Sequence, residues 1–145
     1  MDETLKSHGK NLLHGLHNLL SDLEVESSRL MIKMTDTEAF RLGENIAITP
    51  GKVVFRNSMM ELIQYAPQTA SVKSIPLLIV PPWINKYYIM DLSPHNSLIN
   101  WLVKQGITVF IISWVNPDSN FSHKSLFDYL NEGPLTAIST IKKQL

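Results

Sequence analysis

The composition is that of an ordinary globular protein: of 145 residues, 44% are hydrophobic and 18% are charged, and 13 basic residues balance 13 acidic ones. This length allows one domain that buries roughly two thirds of its unfolded surface, and the neutral charge gives no sign of a nucleic-acid partner. The longest apolar run, residues 75–80, is far shorter than the roughly 20 residues of a membrane-spanning helix. The absence of cysteine excludes disulfides, thiolate ligands and a thiol nucleophile from these residues. Because the polar start MDETLKSHGK is unlike a secretory signal, we expect a cytoplasmic protein without a transmembrane segment.

Residues 1–34 are predicted to be helical and amphipathic. Leucines recur three and four positions apart and form what we call the leucine stripe: Leu5, Leu12, Leu13, Leu16, Leu19, Leu20 and Leu23. One interpretation is a helix packed on its own domain, and the alternative is a docking surface for a partner or an amphiphilic interface. His14 and His17 lie on the other side without a third ligand, so we predict solvated imidazoles, no metal site and no cofactor.

The next segment carries the signals of a short helix and a turn. Thr35 and Glu38 fit a capping box, in which each side chain accepts a hydrogen bond from the other's backbone N–H. Gly43 fits the end of that helix. Residues 49–51, Thr-Pro-Gly, are predicted to turn, with Gly51 at positive φ.

The rest of the chain is predicted to form a sheet. Residues 52–56 and 60–65 are predicted to be two short strands joined by a turn near Asn57. Residues 75–80 and 107–113 are continuous apolar runs, which are typical of strands covered on both faces.

A helix is predicted between the two apolar runs. Ser93 suits the N-cap, Pro94 suits the first helical position, and Gly106 suits the end of the helix. Its buried face is predicted to contain Leu98, Ile99, Leu102 and Val103. A strand, a helix of about a dozen residues and a second strand indicate a parallel βαβ unit.

A last helix is predicted from about residue 125 to residue 145. Proline disrupts a helix interior, so we expect this helix to be kinked or broken at Gly133-Pro134. A doubly wound sheet would have another strand after it.

In an open parallel sheet, the loops that follow the strands form the ligand crevice, and here these loops are residues 81–91 and 114–122. The two prolines that begin the first loop donate no N–H, so the next backbone donors, Trp83 and Ile84, can be directed outward toward an oxyanion. Asn85 supplies a side-chain donor beside them. The alternative is that Trp83 simply packs and Asn85 is solvated.

The group that would attack a substrate is missing from this pattern. An α/β-hydrolase places its nucleophile in a G-x-S-x-G or G-x-C-x-G elbow, and none of the six glycines begins one. Asp91 near His95, and His123 near Asp128, have the residue types of a base and its orienter. We interpret them instead as residues of helix starts and of the surface. The sequence also contains no cluster with metal-ligand spacing and no glycine-rich phosphate loop.

Several long segments closely resemble the N-terminal portion of class I polyhydroxyalkanoate (polyhydroxybutyrate) synthases: TPGKVVFRNSMMELIQYAPQT, PPWINKYYI, SWVNPD and FDYL. The resemblance implies an α/β fold with a helical N-terminal region, residues 1–48, and an incomplete α/β-hydrolase core, residues 49–145. This core would hold the first part of the sheet and be truncated before the nucleophile elbow. One functional element carries over, the loop Trp83-Ile84-Asn85, with the Ile84 N–H as the oxyanion donor.

The resemblance also implies a function. Such acyltransferases join 3-hydroxyacyl groups from coenzyme A thioesters into a polyester and release CoA, using a Cys, Asp and His triad that has no counterpart here. We therefore expect an N-terminal synthase fragment that is inactive alone. The alternative is a non-catalytic interaction module that docks a separate catalytic half or a polymer granule surface, and a gene remnant without a role stays open as well.

The expected partners follow from the same resemblance. They are a C-terminal synthase half or a second copy of the chain, hydroxyacyl-CoA once the enzyme is complete, and a granule surface in the cytoplasm. The predicted break at Gly133-Pro134 departs from the family's smooth helix, which we interpret as relaxed constraint.

Overall fold

The computed structural model describes residues 2–23 and 34–144. The chain falls into two compact units, Met1–Ala39 and Phe40–Leu145. Within the described residues, no helix is both long and apolar enough to cross a membrane.

The first unit contains two helices, α1 (Asp2–Lys6) and α2 (Lys10–Leu23). The single helix predicted from the sequence is interrupted because His8 and Gly9 both adopt positive φ, 50° and 79°. Neither helix has a buried residue, and every leucine of the leucine stripe is exposed. Among the described residues of this unit, none buries the leucine stripe, contrary to the predicted packing within its own domain. The end of the predicted helix, residues 24–33, lies outside the described residues.

Turns replace the short helix predicted after residue 34. The Asp36 carboxylate accepts the Glu38 backbone N–H at 2.9 Å, which closes a local turn in place of a helical one. Gly43, predicted to end the helix, has φ of 80° and donates its N–H to the Ile46 carbonyl at 2.8 Å. The capping box of Thr35 and Glu38 is therefore not formed.

The second unit contains six strands, numbered in chain order: β1 (Gly51–Arg56), β2 (Met60–Tyr65), β3 (Leu77–Ile79), β4 (Asp91–Ser93), β5 (Asn96–Ser97) and β6 (Val109–Trp114). Four of them form the main sheet in the order β1-β2-β6-β3, and β4 and β5 form a small hairpin. The β1–β2 and β2–β6 pairs are antiparallel, whereas β3 and β6 run parallel. The strands predicted near residues 52–56, 60–65 and 107–113 and the parallel βαβ unit are confirmed.

Two details of the predicted sheet are wrong. Gly51 does not turn at positive φ but begins β1, where an added Cβ would lie 3.1 Å from the Gln64 carbonyl oxygen. The run at residues 75–80 yields only a three-residue strand at the edge of the main sheet, and Leu77 is 38% exposed. A strand with one neighbour is covered less completely than the central β6, so its apolar sequence is not matched by full burial.

The helix between β3 and β6, α3 (Leu98–Lys104), begins later than predicted. Ser97 is its N-cap and accepts the Asn100 N–H at 2.8 Å. Ser93 lies in the β4–β5 hairpin instead, where its hydroxyl accepts the Asn96 N–H at 3.2 Å. The predicted end is confirmed, because Gly106 follows the helix with φ of 73°. Of the predicted buried face, Leu98 is 47% exposed and the other three members are buried.

The last helical segment is not broken at Gly133-Pro134, and the irregularity predicted there as a kink or a break is a π-helical turn. It consists of α4 (Leu126–Leu130), a π-helical turn (Asn131–Leu135) and α5 (Thr136–Gln144). In the π turn the Thr136 N–H donates to the Asn131 carbonyl, five residues back. This wider turn accommodates Pro134, which lacks an N–H, without interrupting the helical path.

The hydrophobic core lies on both faces of the main sheet, because successive side chains of β6 point to opposite faces. On one face, Phe110 and Ile112 pack with Ala137 and Ile141 of α5. On the other face, three buried residues of α3 pack with three strand residues: Ile99, Leu102, Val103, Val109, Ile111 and Tyr65. The second unit is therefore a mixed α/β structure with helices on both faces of its sheet.

Candidate functional site

The two loops predicted to form a ligand crevice lie next to each other. Because β3 and β6 are adjacent and parallel, their C-terminal ends lie side by side, and both loops begin there. Side chains connect the two loops: Lys86 Nζ donates to Asn116 Oδ1, and Trp114 Nε1 donates to the Pro81 carbonyl oxygen at 2.7 Å. The candidate residues are thus held against the end of β6.

The candidate oxyanion residues form a tight turn. The Asn85 N–H donates to the Pro82 carbonyl at 2.8 Å, which places Trp83 and Ile84 at the two central positions of the turn. Among the described residues, no acceptor lies within hydrogen-bond distance of the Trp83 or Ile84 N–H. Of the three candidates, only Trp83 and Ile84 therefore keep a backbone donor for a ligand, whereas Asn85 offers its exposed side chain.

Aromatic rings support this turn from one side. The Trp83 ring lies 5.5 Å from the Tyr129 ring of α4, and Tyr129 in turn lies 5.6 Å from the Trp114 ring. Such spacing is typical of favourable aromatic pairs. Trp83 nevertheless remains 55% exposed, so it packs along one side only. The two interpretations of Trp83, as packing residue and as backbone donor, are compatible in this geometry.

A cleft of about 300 Å³ opens next to the residues that follow the turn, and none of Trp83, Ile84 and Asn85 lines it. Its walls include Lys86, Tyr87 and Tyr88 from the first loop and Trp114 and Asn116 from the end of β6. Burial raises the pKa of the Tyr87 phenol, and the Asp91 carboxylate raises it further. Tyr87 is therefore a neutral hydrogen-bond donor around neutral pH.

Asp91 has a structural partner that the sequence did not indicate. Its carboxylate is 1% exposed and accepts two hydrogen bonds from Thr49, one from the backbone N–H and one from the hydroxyl. It does not lie at a helix start, since α3 begins at Leu98. No local sequence pattern predicts this contact, because Thr49 and Asp91 are 42 positions apart.

Asp128, by contrast, occupies the helix start expected for it. It forms a reciprocal capping box with Ser125, the N-cap of α4. Hydrogen bonds from the Ser125 side chain and backbone hold the pKa of the Asp128 carboxyl below its ordinary value of 3.8. Both hydrogen bonds from Ser125 reach Asp128 Oδ2, and among the described residues no hydrogen bond joins Asp128 to His123.

The arrangement presents hydrogen-bond donors, but it does not contain an attacking group of the expected kind. The sequence contains no cysteine, and none of the six glycines opens a nucleophile elbow. Within residues 2–23 and 34–144, no three His, Asp or Glu residues are grouped closely enough to hold a metal ion. Sequence reasoning also missed the supporting residues Trp114, Tyr129 and Gly133, whose roles depend on contacts across the fold.

Comparison with known proteins identifies the family. The model of the family described as "Poly-beta-hydroxybutyrate polymerase (PhaC) N-terminus" matches residues 1–102. A poly(3-hydroxyalkanoate) polymerase of Methylorubrum extorquens is 55% identical over 139 residues, which cover 96% of this chain and 23% of the relative.

Two further relatives give the same result. The poly(3-hydroxyalkanoate) polymerase subunit PhaC of Rhizobium meliloti is 47% identical over 97% of this chain, and that of Cupriavidus necator is 44% identical over 95%. The chain spans 23% of the length of each of these relatives. These matches show that the chain belongs to the poly-beta-hydroxybutyrate polymerase (PhaC) N-terminus family.

Proposed function

We propose that this chain supplies the N-terminal part of a poly(3-hydroxyalkanoate) polymerase and contributes half of its oxyanion hole. The whole enzyme would join 3-hydroxyacyl groups from coenzyme A thioesters into a polyester and release CoA. The observation that carries the proposal is the turn at Trp83 and Ile84, whose two backbone N–H groups have no acceptor among the described residues. The names of the relatives supply the reaction class.

The position of this turn supports an α/β-hydrolase core. In that fold, one oxyanion donor comes from the loop between a parallel strand and the following helix, and the second is the N–H after the nucleophile. Here the turn lies between β3 and α3, with helices on both faces of the sheet. The thioester carbonyl oxygen would gain negative charge during attack and accept a hydrogen bond from the Ile84 N–H.

The attacking sulfur must come from elsewhere. These 145 residues contain no cysteine, and the relatives extend well beyond the matched quarter of their length. The chain alone would bind the oxyanion without forming the acyl-enzyme. Loss of a whole nucleophile and base set from a triad enzyme lowers turnover by about 10⁶-fold, so the chain alone would be inactive.

The edge of the main sheet offers a place for the rest of the enzyme. Among the described residues, β3 pairs only with β6, so its other side presents unpaired backbone groups. An apolar groove of about 270 Å³ lies beside it, lined by Pro76 and Leu78 and by Ile138 and Ile141 of α5. A further parallel strand from the catalytic portion would pair with β3 and cover this groove.

A second candidate function rests on the leucine stripe, whose members are all exposed. An amphipathic helix with an uncovered apolar face is suited to docking. In this alternative the chain is a non-catalytic module that binds a separate catalytic half, a second copy or a polymer granule surface. Size-exclusion chromatography with and without a catalytic half tests this alternative, since a monomer that ignores the catalytic half argues against docking.

Fusion to a catalytic portion tests the main proposal. Residues 1–145 would replace the matching segment of the Methylorubrum extorquens polymerase, and CoA release from 3-hydroxybutyryl-CoA would be measured. We expect release by the fusion and none by this chain or by the remaining portion of the relative alone. CoA release by this chain alone, or a folded but silent fusion beside an active intact relative, would contradict the proposal.

A further inference from the structure

The side chain of Trp114 links the start of the candidate oxyanion turn to a strand of the main sheet. This residue is the last of β6 and is paired with Met60 of β2, so its backbone has a fixed place in the sheet. Its indole N–H donates to the Pro81 carbonyl oxygen at 2.7 Å. Only Pro82 separates that carbonyl from Trp83, and the rings of both prolines restrict the backbone between them.

We propose that Trp114 is a positioning residue that sets the direction of the Trp83 and Ile84 N–H groups. This inference rests on the proposed function, because it assigns a cause to the geometry of the same oxyanion turn. Trp114 itself would not touch the thioester. It acts through the Pro81 carbonyl and through Tyr129, whose ring lies between the Trp114 and Trp83 rings.

The glycine at position 133 makes this arrangement sterically feasible. A Cβ at residue 133 would lie 2.3 Å from Cη2 and 2.7 Å from Cζ3 of Trp114, far inside any normal contact. Gly133 is buried and lies in the π-helical turn, which brings its backbone against the indole. Any larger residue there would push the indole or the helix out of place.

A second contact holds the π-helical turn against the sheet. The Asn57 side-chain amide donates to the Glu132 carbonyl at 2.8 Å, and its oxygen accepts the N–H groups of Met59 and Met60, each at 2.8 Å. Asn57 therefore connects the β1–β2 turn with the helix residue next to Gly133. The indole is confined between a fixed helix backbone and a fixed strand.

This geometry changes the interpretation of Gly133-Pro134. The pair does not mark relaxed constraint at a broken helix. Gly133 provides the space for the indole, and Pro134 is accommodated by the same wide turn. Gly133 thereby permits the contact that places the oxyanion turn.

The first test measures exchange in the unaltered chain. The protein has three tryptophans, so ¹⁵N-tryptophan labelling gives three indole N–H signals. Trp83 and Trp101 are 55% and 56% exposed, whereas the Trp114 N–H is hydrogen-bonded. We expect the Trp114 N–H to exchange with D₂O at least about tenfold more slowly than the other two, because a hydrogen-bonded, partly buried group opens before it exchanges. Equal exchange of all three would overturn the proposal without any reference to catalysis.

The second test measures catalysis in the fusion described above. Trp114→Phe removes the N–H donor, Gly133→Ala displaces the indole, and Trp101→Phe on the exposed face of α3 is the matched control. We expect the first two variants to lower kcat by about 10- to 100-fold and to change KM by no more than about twofold. Displacing a catalytic group by about 1 Å has an effect of this size on the rate. The control should match the parent fusion.

The two tests also separate this inference from the proposed function. A silent parent fusion contradicts the proposed function, and the inference is then decided by the exchange measurement alone. An active parent fusion whose Trp114→Phe and Gly133→Ala variants keep full kcat would overturn the inference and leave the proposed function standing.

Backbone ¹⁵N signals from labelled isoleucine add a third check. The Trp114→Phe substitution should shift the backbone ¹⁵N signal of Ile84 and leave that of Ile63 unchanged.

Discussion

The Asp91 carboxylate binds Thr49 through two hydrogen bonds, 2.9 Å from the backbone N–H and 2.8 Å from the hydroxyl. The Asp91 backbone carbonyl also accepts the Ala47 N–H at 2.8 Å. Both side chains are buried, with Asp91 1% and Thr49 8% exposed. This pair therefore fastens the segment that enters β1 to the start of the β4–β5 hairpin, beside the candidate site.

Replacement of Asp91 should lower stability in a way that His95 does not share. Asp91→Ala leaves the Thr49 N–H and hydroxyl buried without an acceptor, and we expect the free energy of unfolding to fall by about 1–3 kcal/mol. Exposed His95→Ala should change it by less than about 0.5 kcal/mol. Urea unfolding followed by tryptophan fluorescence measures both. Equal effects of the two substitutions would contradict the assigned role of Asp91.

Replacement of Tyr65, unlike replacement of Asp91, should not lower the free energy of unfolding. Among the described residues, its buried hydroxyl has no hydrogen-bond partner. Tyr65→Phe removes an unsatisfied polar group, so we expect the free energy of unfolding at pH 7 to stay constant or rise by up to about 1 kcal/mol. A large loss of stability would show that the hydroxyl has a favourable partner in solution.

Tyr65 should also cause the free energy of unfolding to fall at alkaline pH. Burial, and secondarily the Asp91 carboxylate, raises the pKa of Tyr65 above the ordinary tyrosine value of 10.0. The unfolded chain loses this proton first, so stability is complete below about pH 10 and falls as the pH rises above it, by up to about 1.4 kcal/mol per pH unit. Tyr65→Phe should flatten this decline, which unfolding curves between pH 8 and pH 11 would measure.

Helix α3 provides a test of its corrected start. Ser97→Ala removes the N-cap that accepts the Asn100 N–H, and we expect a loss of about 1 kcal/mol. Ser93→Ala, at the start predicted from the sequence, should cost less than about 0.5 kcal/mol because its hydroxyl bonds within an exposed hairpin. A larger loss at Ser93 would favour the original prediction.

Replacement of a leucine of the leucine stripe by alanine should leave the stability of the isolated chain nearly unchanged. Leu16 is 53% exposed, so Leu16→Ala should change the free energy of unfolding by less than about 0.5 kcal/mol. The matched core substitution, Leu62→Ala, should cost about 2–5 kcal/mol because Leu62 is fully buried. Comparable losses at both positions would restore the interpretation of a core-packed helix.

Local patterns predicted most of the second unit. Apolar runs placed β1, β2 and β6, and Gly106 marked the end of α3 through its positive φ. The start of α3 was misplaced because Ser93 and Ser97 are equally suited to an N-cap in the sequence. The β4–β5 hairpin decides between them, and no local signal predicts that hairpin.

Two further errors depend on contacts between residues that are distant in the sequence. Gly133-Pro134 has the sequence pattern of a helix break, yet its conformation depends on the indole of Trp114 and on Asn57. The periodicity of the leucine stripe shows that a helix is amphipathic but not what covers its apolar face. The oxyanion role of the Trp83–Asn85 turn stays a prediction, and the sequence did not indicate which residues hold the turn in place.

Replacement of a single backbone N–H tests the central claim most directly. In the active fusion, Ile84 would be replaced by its α-hydroxy analogue, which converts the amide N–H into an ester oxygen and keeps the side chain. We expect kcat for CoA release to fall by about 10²- to 10³-fold with little change in KM, the usual effect of losing one oxyanion donor. The same replacement at Ile75, which is 81% exposed and lies outside the strands and helices, is the control for the ester itself. Full kcat in the Ile84 ester variant would contradict the assignment of this turn to the oxyanion hole.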